Sequence, residues 1–387
     1  RRIDGEGAFL APPSQSRNER RRIGVKRMKR IRKAGLAAGI GAILVTAAAF
    51  PALADTVYVN ASALNYRNRP SMDADAVLGT LPRGTKLERL SDEGEWSQVK
   101  LADSKVSVYV ATRYLTASAP AAQTQAQDKP DSSLAAASWE VGLDADYPYA
   151  SFSAINSGKA VYYQSASQNR KGKTVCVNAG HGTSGGESVK TYCHPDKTPK
   201  VTGVTPGAGA VMASAVSSGM TFSDGTPERD VTLAMAKIFR DKLLADGYDV
   251  LMIRESDDVQ LDNVARTVLA NNQAHCHIAL HWDSTSSDKG AFYMSVPQNA
   301  SYRAMEPVAS HWESHNRLGE CLIAGLKEGG NKIFSSGAME MDLTQTSYST
   351  VPSIDIELGD GKSAHDDATL GKLADGLVVG VNSYFGQ

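Results

Sequence analysis

Apolar and polar positions change rhythm once along this chain. Residues 56–118 alternate in short runs: 56–59 and 63–67, then 77–81 and 85–90 on either side of Pro82-Arg83-Gly84, then 94–99 and 106–110. Alternation with period two, broken by turn residues such as Asn68-Arg69-Pro70-Ser71, predicts closely spaced strands and so a small all-β barrel. From Lys173 the pattern becomes apolar strands alternating with helical stretches. Strands are predicted at 174–178, 248–253, 275–280, 291–296 and 353–356, and helices at 227–246, 261–273, 307–325 and 367–384. Pro227 suits a first helical position with Thr226 as its cap, and Gly247 ends that helix. The alternation predicts an α/β fold, a mixed or parallel sheet between helices, preceded by the small barrel.

Four stretches lie outside these two patterns. Residues 1–27 are Arg-rich, lack periodicity and precede Met28, so they read as a non-native or mis-started extension. From Met28 a basic start, an apolar run from Ala34 to Phe50 and a closing Ala52-Leu53-Ala54 have the three parts of a secretory signal peptide, with cleavage after Ala54. The run is shorter than the ~20 residues that span a bilayer comfortably, which favours a cleaved leader over an anchor. Residues 119–138, rich in Ala, Gln, Ser and Pro, read as a flexible linker. Residues 139–173 carry Tyr147, Tyr149, Phe152, Tyr162 and Tyr163 and read as an extension of the strand–helix domain that begins at Lys173. The expected layout is therefore extension 1–27, leader 28–54, barrel 55–118, linker 119–138 and a second domain 139–387 with its core at 173–387.

Composition narrows the function. The chain has 387 residues, 42% of them hydrophobic and 21% charged, which suits packed globular domains. A net charge of −1 argues against nucleic-acid binding by bulk charge. Four cysteines are too few for a disulfide scaffold. Cys176 and Cys276 fall in predicted core strands and read as buried packing residues, while a disulfide among Cys176, Cys193, Cys276 and Cys321 stays open.

Candidate chemistry gathers at element ends. His181 follows the strand Val175-Cys176-Val177-Asn178-Ala179 in a Gly-flanked turn, Glu228 opens a helix, His281 ends the run His277-Ile278-Ala279-Leu280, and Glu357 ends Ser353-Ile354-Asp355-Ile356. In α/β folds ligands collect at the carboxyl ends of strands. Two imidazoles and one carboxylate can hold a catalytic zinc with an open position, and a further carboxylate can carry protons. Each residue also has a plain reading: a connecting loop for His181, a dipole-favoured acid for Glu228, a strand-end acid for Glu357. Asp355 shares the face of Glu357, and paired carboxylates raise one another's pKa. His275 and His277 read as packing or surface residues, and His311 and His315, four apart, as a solvated helix face. His194 and His365 stay open as accessory groups.

Leu64-Asn65-Tyr66-Arg67-Asn68-Arg69-Pro70-Ser71, Leu81-Pro82-Arg83-Gly84, Glu95-Trp96 and Tyr109-Val110 with Tyr114-Leu115 resemble the bacterial SH3-like domain, which implies binding to cell-wall peptides. Asn178-Ala179-Gly180-His181-Gly182, the run from Glu228 to Ala236, Asp246-Gly247-Tyr248 with Arg254, Arg266 with Leu269-Ala270-Asn271, Leu280-His281-Trp282-Asp283 and Asp355-Ile356-Glu357-Leu358-Gly359 resemble the zinc-dependent N-acetylmuramoyl-L-alanine amidases of amidase type 3. The resemblance implies one Zn2+ on His181, Glu228 and His281, with Glu357 as the catalytic glutamate. It implies a secreted or wall-located enzyme that cleaves peptidoglycan between N-acetylmuramic acid and L-Ala. The alternatives are a zinc peptidase acting within the stem peptide and a catalytically silent wall-binding protein. The chain departs from the family pattern at Asn178-Ala179, at Trp282 and in the long segment 187–222, which is expected to act as a lid or substrate-selecting loop.

Overall fold

The structure, a computed structural model, describes residues 55–61, 63–72, 76–82, 84–101, 106–119, 133–203, 206–256 and 259–387. The leader, the extension before it and most of the linker lie outside the described residues. Among the described residues no helix is long and apolar enough to cross a membrane.

The alternating segment forms seven antiparallel strands: β1 (Asp55–Val59), β2 (Ala63–Arg67), β3 (Val77–Pro82), β4 (Lys86–Asp92), β5 (Trp96–Lys100), β6 (Ser107–Ala111) and β7 (Leu115–Thr116), in the order β3-β2-β6-β5-β4-β1-β7. Inward residues at alternate positions, among them Val57, Val59, Leu64, Leu87, Val99, Val108 and Val110, make one small core. Tyr66 and Trp96 pack against it half-buried. A 3-10 turn, Thr112–Tyr114, buries Tyr114 in the same core.

The second domain is built on an eight-stranded mixed sheet. Its strands are β8 (Ala135–Gly142), β9 (Lys159–Ser165), β10 (Thr174–Ala179), β13 (Asp249–Met252), β14 (Cys276–Asp283), β15 (Ala291–Ser295), β16 (Ile333–Glu340) and β17 (Ser353–Asp360), in the order β16-β15-β17-β14-β10-β13-β9-β8. The central β13, β10, β14 and β17 are parallel, β9 and β15 run antiparallel to their inner neighbours, and a separate hairpin pairs β11 (Lys190–Tyr192) with β12 (Met212–Ser214). β8 begins within the stretch read as linker.

Helices cover both faces, as an apolar central strand requires. α1 (Glu228–Ala245), α4 (Val308–Glu328) and α6 (Asp367–Phe385) pack on one face, where Val175, Val177 and Ala179 of β10 join Leu233, Leu322 and Leu377 in the main core. α2 (Asn263–Gln273) covers the other, where Cys176 meets Leu251, Leu261 and Leu269. Two short helices, α3 (Ala300–Arg303) and α5 (Thr344–Tyr348), complete the set.

The starts of the helices correct one expectation. Thr226 does not cap α1; Pro227 occupies that position and makes no side-chain cap. Glu228 and Asp230 stand in the first turn, where the helix dipole favours acids. α2 has the side-chain cap that α1 lacks, with Asp262 accepting from the Ala265 amide at 2.8 Å.

Candidate active site

Parallel register aligns the strand ends. β14 pairs with β17 so that His281 stands opposite Glu357 and Ala279 opposite Asp355, while Ala179 at the end of β10 stands opposite Leu280. His181 lies just past β10, and α1 delivers Glu228 to the same edge. His181 Nε2, Glu228 Oε1 and His281 Nδ1 converge: the nitrogen of His181 lies 2.8 Å from the carboxylate oxygen and 3.0 Å from His281 Nδ1, which is 3.2 Å from that oxygen.

Each converging atom is fixed from behind. His181 Nδ1 donates to the Ser217 carbonyl at 2.9 Å, which leaves Nε2 as a lone pair facing the cluster. Glu228 Oε1 accepts from the Trp282 amide at 3.0 Å and Oε2 from the Met220 amide at 2.8 Å. His281 Nε2 faces Asp355 Oδ2 at 3.5 Å. Space is equally constrained. A β-carbon on Gly180 would meet the His281 ring at 2.2 Å, and one on Gly219, whose φ is +81°, would meet His181 at 2.8 Å and Glu228 at 2.9 Å.

His181 itself has φ 62°, a left-handed conformation unusual for a residue with a β-carbon. Two buried guanidiniums hold the surrounding backbone. Arg266 donates to Asn178 Oδ1, to the Ala179 carbonyl and, at 2.7 Å, to the His181 carbonyl. Arg254 donates to the carbonyls of Ala179, Gly180 and Arg229. Burial and the neighbouring Arg254 pull Arg266 down to about 9.

The charges favour a cation at the cluster. Burial opposes ionisation of Glu228, but the two imidazoles outweigh it and hold the carboxyl well below its ordinary range. Burial pulls His281 down, yet Asp355, Glu228 and Glu357 together lift it to about 10. Glu357 is pushed well above the carboxylate range by burial first and by Asp355 next. Three acidic groups thus surround two imidazoles, and a metal ion that displaced the proton of His281 could take lone pairs from His181, His281 and Glu228 together. A tetrahedral site with bonds of ~2.0–2.1 Å sets its ligands roughly 3.3 Å apart, close to the spacings here. The donor set fits zinc.

A cavity of about 270 Å³ opens over the cluster, lined by His181, His281, Asp355 and Arg266 on the sheet side. Its other wall comes from the long segment 187–222, through Glu187, Lys190, Lys200, Pro206 and Met212. The segment is pinned by Asp342, which accepts from the amides of Val201 and Thr202 at 2.6 and 3.0 Å and from His194 Nε2 at 3.1 Å. Lys200 Nζ donates to the Asp342 carbonyl at 2.5 Å.

The remaining candidates separate cleanly. His315 is buried rather than solvated: its Nδ1 accepts from the Ser353 amide at 2.9 Å, because α4 turns that face onto β17. His277 is buried against Asn178, and exposed His275 accepts from the Thr174 amide. His365 pairs with Asp224 at 3.2 Å, outside the cluster. All four cysteines are free thiols. The Ser217 carbonyl and the Met220 and Trp282 amides carry no side-chain signature; the glycine in Ser217-Ser218-Gly219-Met220 is the one local signal of that turn.

Comparison with known proteins gives the class first. Residues 62–116 match the bacterial SH3 domain family, and residues 175–381, more than half of the chain, match the family described as N-acetylmuramoyl-L-alanine amidase. The protein is a cell-wall hydrolase with an N-terminal SH3-like domain. It belongs to the N-acetylmuramoyl-L-alanine amidase family. No curated protein matches the chain in sequence. Similar solved structures include the N-acetylmuramyl-L-alanine amidase Ami1 from Mycobacterium smegmatis, at 19% identity and a TM-score of 0.46, covering 57% of this chain and 99% of that one. The apo form of Ami1 from Mycobacterium abscessus is 20% identical with a TM-score of 0.43, covering 55% and 99%. The amidase AmiC2 of Nostoc punctiforme is 16% identical with a TM-score of 0.40, covering 57% and 100%.

Proposed function

We propose that the protein is exported by the leader at 28–54 and hydrolyses the amide between the lactyl group of N-acetylmuramic acid and L-Ala of the stem peptide, using one zinc ion held by His181, Glu228 and His281. The observation that carries this reading is the convergence of three electron-rich ligand atoms, all within 4.8 Å of one another, inside the segment matched to the amidase family. The SH3-like segment 55–118 serves as the wall-binding module, and the second domain, 139–387, as the catalytic one.

Zinc supplies a Lewis acid that polarises the scissile carbonyl and makes a water nucleophilic near neutral pH. The chain's own residues do the rest. His181 and His281 present fixed nitrogens, the first oriented by the Ser217 carbonyl and the second by Asp355. Glu357 Oε2 has no hydrogen-bond partner among the described residues, and its raised pKa suits a group that takes a proton from the attacking water and returns it to the departing L-Ala amine. Residues of the segment 187–222 close the cavity from the side opposite the sheet and restrict which peptides enter.

The test uses protein beginning at residue 55 and purified peptidoglycan. Release of free L-Ala amines without new reducing sugar ends, lost on chelation and restored by zinc, is expected. Cleavage inside the stem peptide with the lactyl–Ala amide intact would instead make the protein a peptidase. Wall binding with no product and no metal would make it a silent binder.

A further inference from the structure

The cavity over the cluster has a neighbour on the side of the SH3-like domain. A second hollow of about 190 Å³ shares Glu187, Val216 and Ser217 with it and runs along residues 182–187. Its far wall is Arg113 and Tyr114, from the 3-10 turn of the SH3-like domain, and Arg229 of α1 closes it beside Glu228. Arg113 Nη2 donates to Ser184 Oγ at 2.5 Å across the domain boundary. The guanidinium carbons of Arg113 and Arg229 lie 4.7 and 4.5 Å from the centroid of the Tyr114 ring.

The charges there are unequal. The hollow has two guanidiniums and one carboxylate, Glu187, whose Oε2 already accepts from the Ser218 amide at 2.7 Å. Asp230, next along α1 and outside the lining, pairs with Arg229 Nε at 3.6 Å, and that Nε is buried, so the donors Arg229 has left for the hollow are its two Nη groups. Stacking on Tyr114 uses the faces of the guanidiniums and leaves their in-plane donors for an acceptor. A planar anion matches that donor pattern best, and a carboxylate does so in two-point fashion.

We infer that this hollow is a carboxylate subsite, completed by the SH3-like domain, which takes an acidic group of the peptide half of the substrate while the amide to be cleaved lies at the cluster. The inference rests on the amidase reading, since that bond joins the sugar to a peptide. It gives Arg113 a part in choosing substrate and makes the SH3-like domain part of the substrate site as well as a wall anchor.

The test compares a soluble N-acetylmuramoyl peptide bearing free carboxylates with the same fragment converted to carboxamides. The wild type is expected to prefer the carboxylate form about tenfold or more in kcat/KM, the preference residing in KM. Arg113→Gln should abolish the preference, and Arg113→Glu should reverse it. Equal losses on both fragments would assign Arg113 to domain docking alone and overturn the subsite, as would an unchanged preference. Turnover of both fragments with no preference in the wild type also refutes the subsite and leaves the amidase reading intact, whereas no turnover of either refutes the reading beneath it.

Discussion

His181 combines two demands that pull against each other. Its left-handed backbone, φ 62°, costs a residue with a β-carbon, yet only that turn aims Nε2 at the cluster while Nδ1 reaches the Ser217 carbonyl. Arg254 and Arg266 hold the turn by filling the carbonyls of residues 179–181, so buried charge fixes the geometry of the His181 imidazole. Asp355 and Glu357 then divide the remaining labour. Each keeps one oxygen without a hydrogen-bond partner among the described residues, but Asp355 also faces His281 Nε2, which suits a group that orients a ligand and leaves Glu357 as the group to move a proton. Two substitutions should separate them. Asp355→Asn should weaken zinc about 10–100-fold, read by competition with a chelator, because removing such a partner weakens the histidine it supports. Glu357→Gln should keep zinc at wild-type occupancy and lose turnover by at least about 100-fold. A Glu357→Gln protein that turns over normally, or an Asp355→Asn protein with unchanged zinc affinity, would overturn the assignment.

At the scale of elements, the segment 187–222 is a wall with its own fastening. Burial works against the charge on Asp342, but hydrogen bonds from His194, Thr202 and Val201, with Lys200 beside them, outweigh it and hold the carboxyl at about 2. An unfolded aspartate titrates near ~3.9, so the fastening is at full strength above about pH 4 and is lost as pH falls through about 2. Its contribution is on the order of 2 kcal/mol. Asp342→Asn should remove this pH dependence and expose the amides of residues 198–203 to hydrogen exchange at neutral pH, while the central strands stay protected. Equal protection in variant and wild type would show that the wall does not depend on Asp342. The segment stood out in the sequence as a lid or substrate-selecting loop, but its fastening did not, because a wall held by one distant aspartate leaves no periodic trace. The period-two barrel and the strand–helix alternation were legible, and the structure has both. The missed elements fail those patterns for physical reasons. β8 is an edge strand with nearly every side chain exposed, and β16 is interrupted by Ser335 and Gly337 at positive φ. α5 is polar in sequence yet buried, because Gln345 Nε2 donates to Ser353 Oγ and the Ile354 carbonyl. At the site, strand-end positions pointed to the side chains, but the backbone groups of Ser217, Met220 and Trp282 that orient them could not be read from residue type. Arg113 was equally hidden, since its place beside the site depends on how the SH3-like domain meets residues 182–187.

For the whole molecule, two separate hydrophobic cores meet at a polar seam. The core of the SH3-like domain and the core of the large sheet share no residue. Across the seam stand Arg113 with Ser184 and Tyr114 with Arg229, contacts of the kind that position a domain without supplying its stability. A domain of about sixty residues buries a modest share of its surface and is marginal by itself. The chain should therefore unfold in two calorimetric transitions, the smaller one first. Leu64 lies almost fully buried in the small core, and Leu64→Ala should cost about 2–5 kcal/mol there. The lower transition should then fall sharply or vanish while the upper one stays in place. One shared transition that moves as a unit would show that the seam couples the cores more strongly than its contacts account for. The same variant also connects stability to substrate choice. If the SH3-like domain completes the carboxylate hollow, its unfolding removes Arg113 from beside Ser184 and Arg229. Leu64→Ala should then treat carboxylate and carboxamide fragments alike above its lower transition, as Arg113→Gln does, yet recover the wild-type preference when cooled below it.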